Sequence, residues 1–244
     1  MRVILAFVFI AGFLASLIAR FPLALALSFV EMPVRYESVV GTIWDGEVHR
    51  LNVEGQPVGD VSLQLSALPL LTGSVKGTVR LEGDGLVAAS GFVLSGRVMA
   101  LRDGRANVAL DRLRLTDTLG QRLRGRFEAE IDEIVFARGA CRSASLRVST
   151  DAVAETLGAF ATRGFDMAGQ GSCDGDDLLV PLEGEGPDAR VLATLRLSGN
   201  GRYLSGLTVT PQRRDLGLFL ANYGFDRDGD SYTTSRTGYL YESL

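Results

Sequence analysis

Residues 74–94, SVKGTVRLEGDGLVAASGFVL, carry the pattern that decides the fold of this chain. Apolar and polar side chains alternate along 74–81, and Gly83-Asp84-Gly85 separates that run from a second one over 86–94. Alternation with a period of two predicts a strand with one buried face, and a short Gly/Asp connection between two such runs predicts an antiparallel hairpin. The stretch therefore predicts two paired β-strands.

The same pattern repeats on both sides of this hairpin. Further strand-like runs cover residues 48–53, 61–65, 106–115, 121–136, 143–148, 177–183, 190–198 and 203–210. Short connections rich in Gly and Asp, such as 102–104 and 199–201, separate them. The expected fold is mainly β, a curved antiparallel meander in an open or folded-over sheet with one polar and one apolar face.

Two short helices are expected to interrupt the meander. Ser149-Thr150-Asp151 can cap a helix over 152–162, and Asp215 precedes an apolar stripe that ends at Gly224. A third helical stretch, 22–29, would continue the leading segment or lie at a membrane interface.

The leading segment predicts a transmembrane helix. Seventeen residues from Val3 to Ala19 carry no charge, and as a helix they would reach about 26 Å. Apolar residues resume after Arg20, which could snorkel and so close the gap to a bilayer core of about 30 Å. The chain is therefore expected to hold a membrane anchor with its flanking segment over 1–30 and one β-rich domain over 31–244. A cleaved signal peptide is the alternative, because Ala24-Leu25-Ala26 fits a cleavage site.

Cysteine usage points to a domain outside the cytosol. The two cysteines, Cys141 and Cys173, are 32 residues apart, and an even pair in an exported domain suggests a disulfide. Two buried free thiols are the alternative. The single charge at Arg2 weakly favours a cytoplasmic N-terminus.

The charge distribution gives no reason to expect nucleic acid as a partner. The chain carries a net charge of −4, although residues 97–126 have a local balance of +5 from eight arginines and three aspartates. That basic stretch predicts either solvated strand faces or a contact surface for an acidic partner or lipid head groups.

The sequence contains no recognisable catalytic or metal-binding pattern. His49 is the only histidine and lies in a predicted strand, so it and the two cysteines do not make a four-ligand metal shell. The acidic run 226–230 lacks the glycine and glutamate positions of a calcium loop, and 83–85 lacks the third glycine of a dinucleotide site. We therefore expect a protein that is not an enzyme and has no cofactor or metal.

Residues 39–46, VVGTIWDG, resemble the G-T-[LIV]-W-x-G signature of the protein N family of the bacterial type II secretion system. The residues that match are Gly41, Thr42, Trp44 and Gly46. Residues 68–73, LPLLTG, are similar to a second region of that family, and they supply Pro69, Leu70 and Gly73 as further candidates. A cysteine before the internal helix, and Cys173-Asp174-Gly175 before a Leu-rich strand, extend the resemblance along nearly the whole chain.

The resemblance implies a non-enzymatic, single-pass inner-membrane subunit with a short cytoplasmic tail and a periplasmic domain. Such a subunit serves the machinery that exports folded proteins across the outer membrane, and its partners would be other subunits of the type II secretion system. The contact elements we expect are an open sheet edge and the Trp44 turn.

A second hypothesis comes from the residues alone. An anchored β-groove protein could bind or transport envelope lipids, so lipid is a possible partner. The small residues that would allow a sheet to curl into such a groove are Gly77, Gly83, Gly85, Ala88, Ala89 and Gly91.

Overall fold

A computed structural model describes residues 9, 12–13, 16–28, 34–53, 56–112, 124–153 and 165–239. These residues form one 15-stranded antiparallel sheet. The strands are β1 (Val34–Arg35), β2 (Ser38–Gly41), β3 (Asp45–Val53), β4 (Gln56–Ser66), β5 (Ser74–Gly83), β6 (Leu86–Ser95), β7 (Val98–Ala109), β8 (Arg126–Ala137), β9 (Ala140–Thr150), β10 (Met167–Asp174), β11 (Asp177–Glu185), β12 (Ala189–Ser198), β13 (Arg202–Pro211), β14 (Asp226–Asp228) and β15 (Ser231–Tyr239).

Short helices lie at the margins of the sheet: α1 (Leu23–Leu27), α2 (Ala67–Leu70) and α3 (Arg214–Asn222). The sequence predicts α1 and α3 but not α2, which contains Pro69. Proline is tolerated there because it stands in the first helical turn, where the backbone N–H has no helical partner. Of the predicted helix 152–162 only Ala152 and Val153 are described, and both are helical.

The strands follow chain order from β3 to β13, so the predicted antiparallel meander is confirmed. At one edge, β1 and β2 both pair with β3. At the other edge α3 leads from β13 to β14, and β15 lies between these two strands. The two edges do not meet in the described chain, so the sheet is open.

The two faces of the sheet differ in polarity, as the alternation predicts. A row of directly paired residues on one face, here called the inner face, comprises Leu81, Ala88, Ala106, Ala129 and Val148. The neighbouring row on the outer face comprises Arg80, Ala89, Arg105, Glu130 and Arg147. Burial of the apolar row therefore determines which way every strand faces.

The C-terminal half of the sheet curls around its apolar face at β10. A Cβ on Gly171 would lie 2.3 Å from Cδ2 of Leu146 and 3.1 Å from Cγ2 of Val180, so the side chains of β9 and β11 meet over this glycine. Further along, a Cβ on Gly199 would lie 2.6 Å from the carbonyl oxygen of Gly139. The β8–β9 and β12–β13 turns are therefore in contact. Of the two predicted forms, an open or a folded-over sheet, the C-terminal half has the folded-over one.

This curl encloses the main core. Ile134 and Phe136 of β8 and Leu146 of β9 pack with Leu178 and Val180 of β11, and all five side chains are buried. A second core lies under α3, where the buried side chains are Leu216, Leu220, Met167, Ala189, Val191 and Val209. The helix therefore covers the inner face at the β12–β13 end of the sheet.

One predicted turn is wrong. Residues 102–104 lie inside β7, and the predicted strand 106–115 instead occupies Val98–Ala109 within the described residues. Gly91 pairs with Arg102 and Ala89 with Arg105, so Asp103 and Gly104 together face Ser90 in a β-bulge. Asp103 has φ of 51°, and an Asp-Gly pair accepts that conformation equally in a turn or in a bulge.

The predicted anchor, residues 3–19, falls largely outside the described residues. Positions 16–19 are helical. Among the residues that the structure describes, no helix combines the length and the hydropathy needed to cross a membrane.

Candidate functional site: the Trp44 turn and its surroundings

The signature residues Gly41 to Gly46 form the connection between β2 and β3. Gly41 pairs with Gly46 at the start of the hairpin, and the backbone N–H of Thr42 donates to the carbonyl oxygen of Asp45 at 3.0 Å. The backbone N–H of Trp44 donates to Oγ1 of Thr42 at 3.3 Å. The motif is therefore a closed turn that projects the indole of Trp44 beyond the sheet.

This turn binds the leading segment. Indole Nε1 of Trp44 donates to the carbonyl oxygen of Ile18 at 2.9 Å. The backbone N–H of Ile43 donates to the carbonyl oxygen of Phe21 at 3.1 Å. Pro22 and Thr42 form an isolated β-bridge. The carbonyl oxygen of Ile18 also accepts the backbone N–H of Phe21 at 3.2 Å, so Trp44 adds a second hydrogen bond at the end of helix 16–19.

Gly46 and Leu23 complete the contact. Leu23 is only 4% exposed, and a Cβ on Gly46 would lie 2.6 Å from its Cδ2. Any larger residue at position 46 would push α1 away from the hairpin. The glycine of the motif is therefore explained by the close approach of Leu23.

The second motif lies at the same end of the sheet. The backbone N–H of Leu65, the penultimate residue of β4, donates to the carbonyl oxygen of Trp44 at 3.1 Å, and α2 follows at once. Pro69 accepts hydrogen bonds from the hydroxyls of Thr72 at 2.8 Å and Ser74 at 3.0 Å. The N–H of Gly73 donates to the carbonyl oxygen of Leu70 at 3.1 Å. The structure thus brings the two predicted motifs together.

The predicted site residues do not include Ile18, Leu23, Leu68 or Leu71, although Leu68 and Leu71 belong to the second motif. Leu68 and Leu71 are 78% and 85% exposed, the highest values among the large apolar side chains described. A usable signal was present, because residues 67–71 (ALPLL) interrupt the alternation with apolar residues at a hairpin connection, where polar residues are usual.

Cys141 and Cys173 form a disulfide, as the sequence predicts, with their Cα atoms 5.6 Å apart. The bond links β9 to β10 beyond Gly171 and Leu146, the last pair of their ladder. In the same place the backbone N–H of Cys141 donates to the carbonyl oxygen of Asp176 at 2.7 Å. The disulfide therefore fixes the curled part of the sheet.

Three of the six described arginines in the predicted basic stretch pair with acids. Arg102 lies 2.8 Å from Glu133, Arg105 lies 3.8 Å from Glu130, and Arg112 lies 3.1 Å from Asp84. Arg114 and Arg122 lie outside the described residues. The solvated strand face is therefore the correct interpretation for the paired arginines.

An open groove of about 880 Å³ runs across β6–β10, and both polar and small apolar residues line it. Glu130 is one of the lining residues and pairs with Arg147 at 2.8 Å as well as with Arg105. Asn107 donates to Glu128 at 3.2 Å beside this ladder. Because these charges neutralise one another, the groove has no excess charge with which to select a charged ligand.

His49 lies in β3, as predicted, and faces two carboxylates. Its Nδ1 is 3.4 Å from Asp60 and its Nε2 is 3.8 Å from Glu47. The backbone N–H of Arg50 donates to Asp60 at 2.8 Å, and this bond, with the contact from His49, holds the pKa of Asp60 below its ordinary value. Within the described ranges, no group of three or more His, Cys, Asp or Glu side chains is arranged to hold a metal ion.

Comparison with known proteins identifies the family. The family model for protein N of the type II secretion system matches residues 32–235. A type II secretion system protein N from Aeromonas hydrophila is 26% identical over 147 residues, a match that spans 57% of this chain and 57% of that protein. The matched region is thus little more than half the length of that relative, and no solved structure matches significantly. Because the family model covers the chain from before β1 into β15, the chain belongs to the protein N family of the type II secretion system.

Proposed function

We propose that this protein is a non-enzymatic inner-membrane component of the type II secretion apparatus. In this proposal the leading segment, centred on residues 3–19, is a single-pass anchor, and the sheet stands in the periplasm. Family membership supports the role in secretion, and seventeen uncharged residues in sequence support the anchor. A disulfide in the sheet suits an oxidising compartment.

The observation that carries the proposal is the hydrogen bond from Trp44 to Ile18. It joins the family signature to the end of the segment proposed as anchor, within a few residues of Arg20. A turn that grips a membrane helix where it leaves the bilayer would hold the sheet at a fixed position above the membrane. The signature then serves to orient the sheet, which explains why a protein without an active site would have a defined motif.

The surface proposed for engaging other subunits is the outer edge of β15. β14 pairs only with Ser231 to Thr233, so residues 234–239 have no strand on their outer side in the described chain. Unpaired N–H and C=O groups along such an edge can accept a strand from another protein. The edge sequence, TSRTGY, is polar, so backbone hydrogen bonds rather than apolar burial would supply the attraction.

The role in secretion is tested by deleting the gene and assaying the culture medium for secreted enzymes. We expect secretion to fall and to be restored by the full chain. Unchanged secretion in the deletion strain would contradict the proposal.

The edge is tested with a photoreactive amino acid at Ser235 in the full chain, in cells that contain the secretion apparatus. Thr208 is the matched control, because it lies on the same face of β13, one strand inward. We expect crosslinks to another secretion subunit from position 235 and none from 208. Equal crosslinking from both positions would show that the outer edge of β15 is not the contact surface.

A second candidate function, binding of envelope lipids, is favoured by one feature of the N-terminal half. The inner-face side chains of β4–β6, which include Val61, Leu63, Val79, Leu81 and Phe92, are all only partly buried. A photoreactive fatty acid in growing cells tests this function. Crosslinks within residues 61–92 would support it, whereas crosslinks confined to residues before 31 would report the anchor alone and count against a groove.

A further inference from the structure

The end of the sheet that holds the Trp44 turn also gathers several hairpin connections. The ends of β5 to β9 lie side by side here, because each strand pairs with the next through its terminal residue. These pairs are Ser74–Ser95, Ser95–Val98, Val98–Ala137 and Ala137–Ala140. The close approach of Gly139 and Gly199 adds the β12–β13 turn to this group. We call this end the rim, defined by residues 67–73, 96–97, 138–139 and 199–202.

Apolar side chains protrude from the rim. Leu68 and Leu71 stand on either side of Pro69 and Leu70, and they expose more of their surface than any other large apolar side chain among the described residues. α2 holds them in place through the hydrogen bonds to the carbonyl oxygen of Pro69. Two leucines fixed in this way face solvent with no intramolecular benefit to the fold.

Unpaired arginines lie beside these leucines. The backbone N–H of Arg138 donates to the carbonyl oxygen of Arg97 at 2.8 Å, which holds two arginine-bearing turns together, and Arg202 begins β13 on the adjoining turn. None of these three side chains forms an ion pair with any residue that the structure describes. Arg102 and Arg105, further along β7, do form ion pairs with β8. The rim thus carries three arginines that form no ion pair within the described part of the chain.

Carboxylates at this end of the sheet offset part of this charge. Arg196 pairs with both Asp174 and Asp177, so one negative charge of these two remains, and Asp45 keeps its charge because its partner is the neutral amide of Gln64. Asp176 is exposed in the β10–β11 turn. Arg20 adds a further positive charge next to the Trp44 turn, so the five arginines named here exceed the four aspartates by one positive charge.

We propose that the rim lies on the surface of an anionic lipid bilayer, with Leu68 and Leu71 inserted among the head groups and the arginines on lipid phosphates. Strand spacing places the turn of Arg97 about 10 Å from α2, so both contacts can be made at once. Apolar side chains flanked by cations are the combination that binds a membrane interface. This inference rests on the proposed function, because the anchor is what brings the rim to the bilayer.

The test uses the full chain reconstituted into bilayer discs of phosphatidylglycerol and phosphatidylcholine in equal parts. The native cysteines are joined in the disulfide, so Leu71→Cys introduces the one reactive thiol, which is labelled with an environment-sensitive dye. Asp230→Cys, in the β14–β15 turn at the opposite end, is the matched control. We expect lipids carrying a nitroxide quencher to quench the dye at position 71 and not at position 230.

The arginines are tested in the same labelled chain. Arg97→Glu with Arg138→Glu should lower the quenching at position 71 by about twofold in the anionic discs and leave it unchanged in discs of phosphatidylcholine alone. Arg80→Glu, a charge reversal in the middle of β5, should have no effect in either. Equal quenching in the labelled chain, the double variant and the Arg80→Glu variant would show that Arg97 and Arg138 do not contact the lipid. A non-reducing gel checks that each variant keeps its disulfide.

The outcomes separate this inference from the proposed function. A chain that resists carbonate extraction but shows no quenching at position 71 overturns the rim contact and leaves the anchor intact. A chain released by carbonate overturns the anchor and the rim contact together. A dye at position 71 that is shielded from aqueous iodide in native membranes, yet not quenched by lipid, would assign the rim to a protein partner instead.

Discussion

Indole Nε1 of Trp44 donates a hydrogen bond to the carbonyl oxygen of Ile18, 26 positions earlier in the chain, at 2.9 Å. Together with the buried side chain of Leu23, this bond ties the leading segment to the β2–β3 hairpin. The family signature is therefore explained by a contact between two parts of this chain.

Trp44→Phe keeps an aromatic ring and removes the donor. An ordinary hydrogen bond contributes about 1 kcal/mol, so opening of the junction should become about fivefold more frequent. The measurement is the rate of trypsin cleavage after Arg20 in the full chain. Leu218→Ala, at an exposed position on α3, is the control and should leave the rate unchanged. A rate that does not change in the Phe variant would show that the bond does not hold the segment.

Gly46→Ala should destabilise the protein by about 1–3 kcal/mol, because the new methyl group would overlap Leu23 and the carbonyl oxygen of Thr42. Gly91→Ala is the matched control in a central strand, where the nearest atom lies 3.3 Å from the added Cβ. Urea denaturation of both variants gives the comparison. Similar losses at the two positions would contradict the role assigned to Gly46.

Loss of the Cys141–Cys173 disulfide should lower the free energy of unfolding by roughly 3–4 kcal/mol, because the bond closes a 32-residue loop in the unfolded chain. The double variant Cys141→Ala/Cys173→Ala and the reduced native protein should show similar denaturation midpoints, both below that of the oxidised protein. If reductant leaves the midpoint of the native protein unchanged, the bond does not support the curled half of the sheet.

Asp60 should make stability depend on pH in the acid range. Its pKa lies below the ordinary value of 3.8 because it accepts the N–H of Arg50 and faces His49. The native state therefore binds fewer protons than the unfolded state, so the stabilisation is present above pH 3.8 and is lost as the pH falls through the native-state pKa.

Urea midpoints at about pH 6 and about pH 3 measure this effect. Asp60→Asn should show a smaller acid-induced loss than the native protein. Asp228→Asn is the control, since that carboxylate forms no hydrogen bond with the described residues. An equal loss in all three proteins would exclude Asp60 as a source of the pH dependence.

Much of the sheet was predictable because alternation is a local property. The runs at 190–198 and 203–210 match β12 and β13 to within one residue at each end. The turn predicted around Asp103 was wrong because the conformation there depends on neighbouring strands and not on local sequence. A positive φ at an Asp-Gly pair suits a turn or a bulge equally, and only the presence of β6 and β8 on both sides makes it a bulge.

The candidate site likewise has features that the sequence predicts and features that it does not. Gly41, Thr42, Trp44 and Gly46 could be selected from the sequence, but their contact with Ile18 and Leu23 could not. Pro69, Leu70 and Gly73 could likewise be selected, while the exposure of Leu68 and Leu71 follows from where α2 lies in the fold. Whether the selected residues contact other subunits stays a prediction.

The sequence by itself determined the strands, the polarity of the two faces, the candidate disulfide and the family motif, since each depends on residue types at short spacing. Tertiary structure alone decided where the sheet curls, which arginines find acidic partners, and that Trp44 meets Ile18. Those features depend on distances between residues far apart in the chain, and the packing of strands onto one another sets such distances.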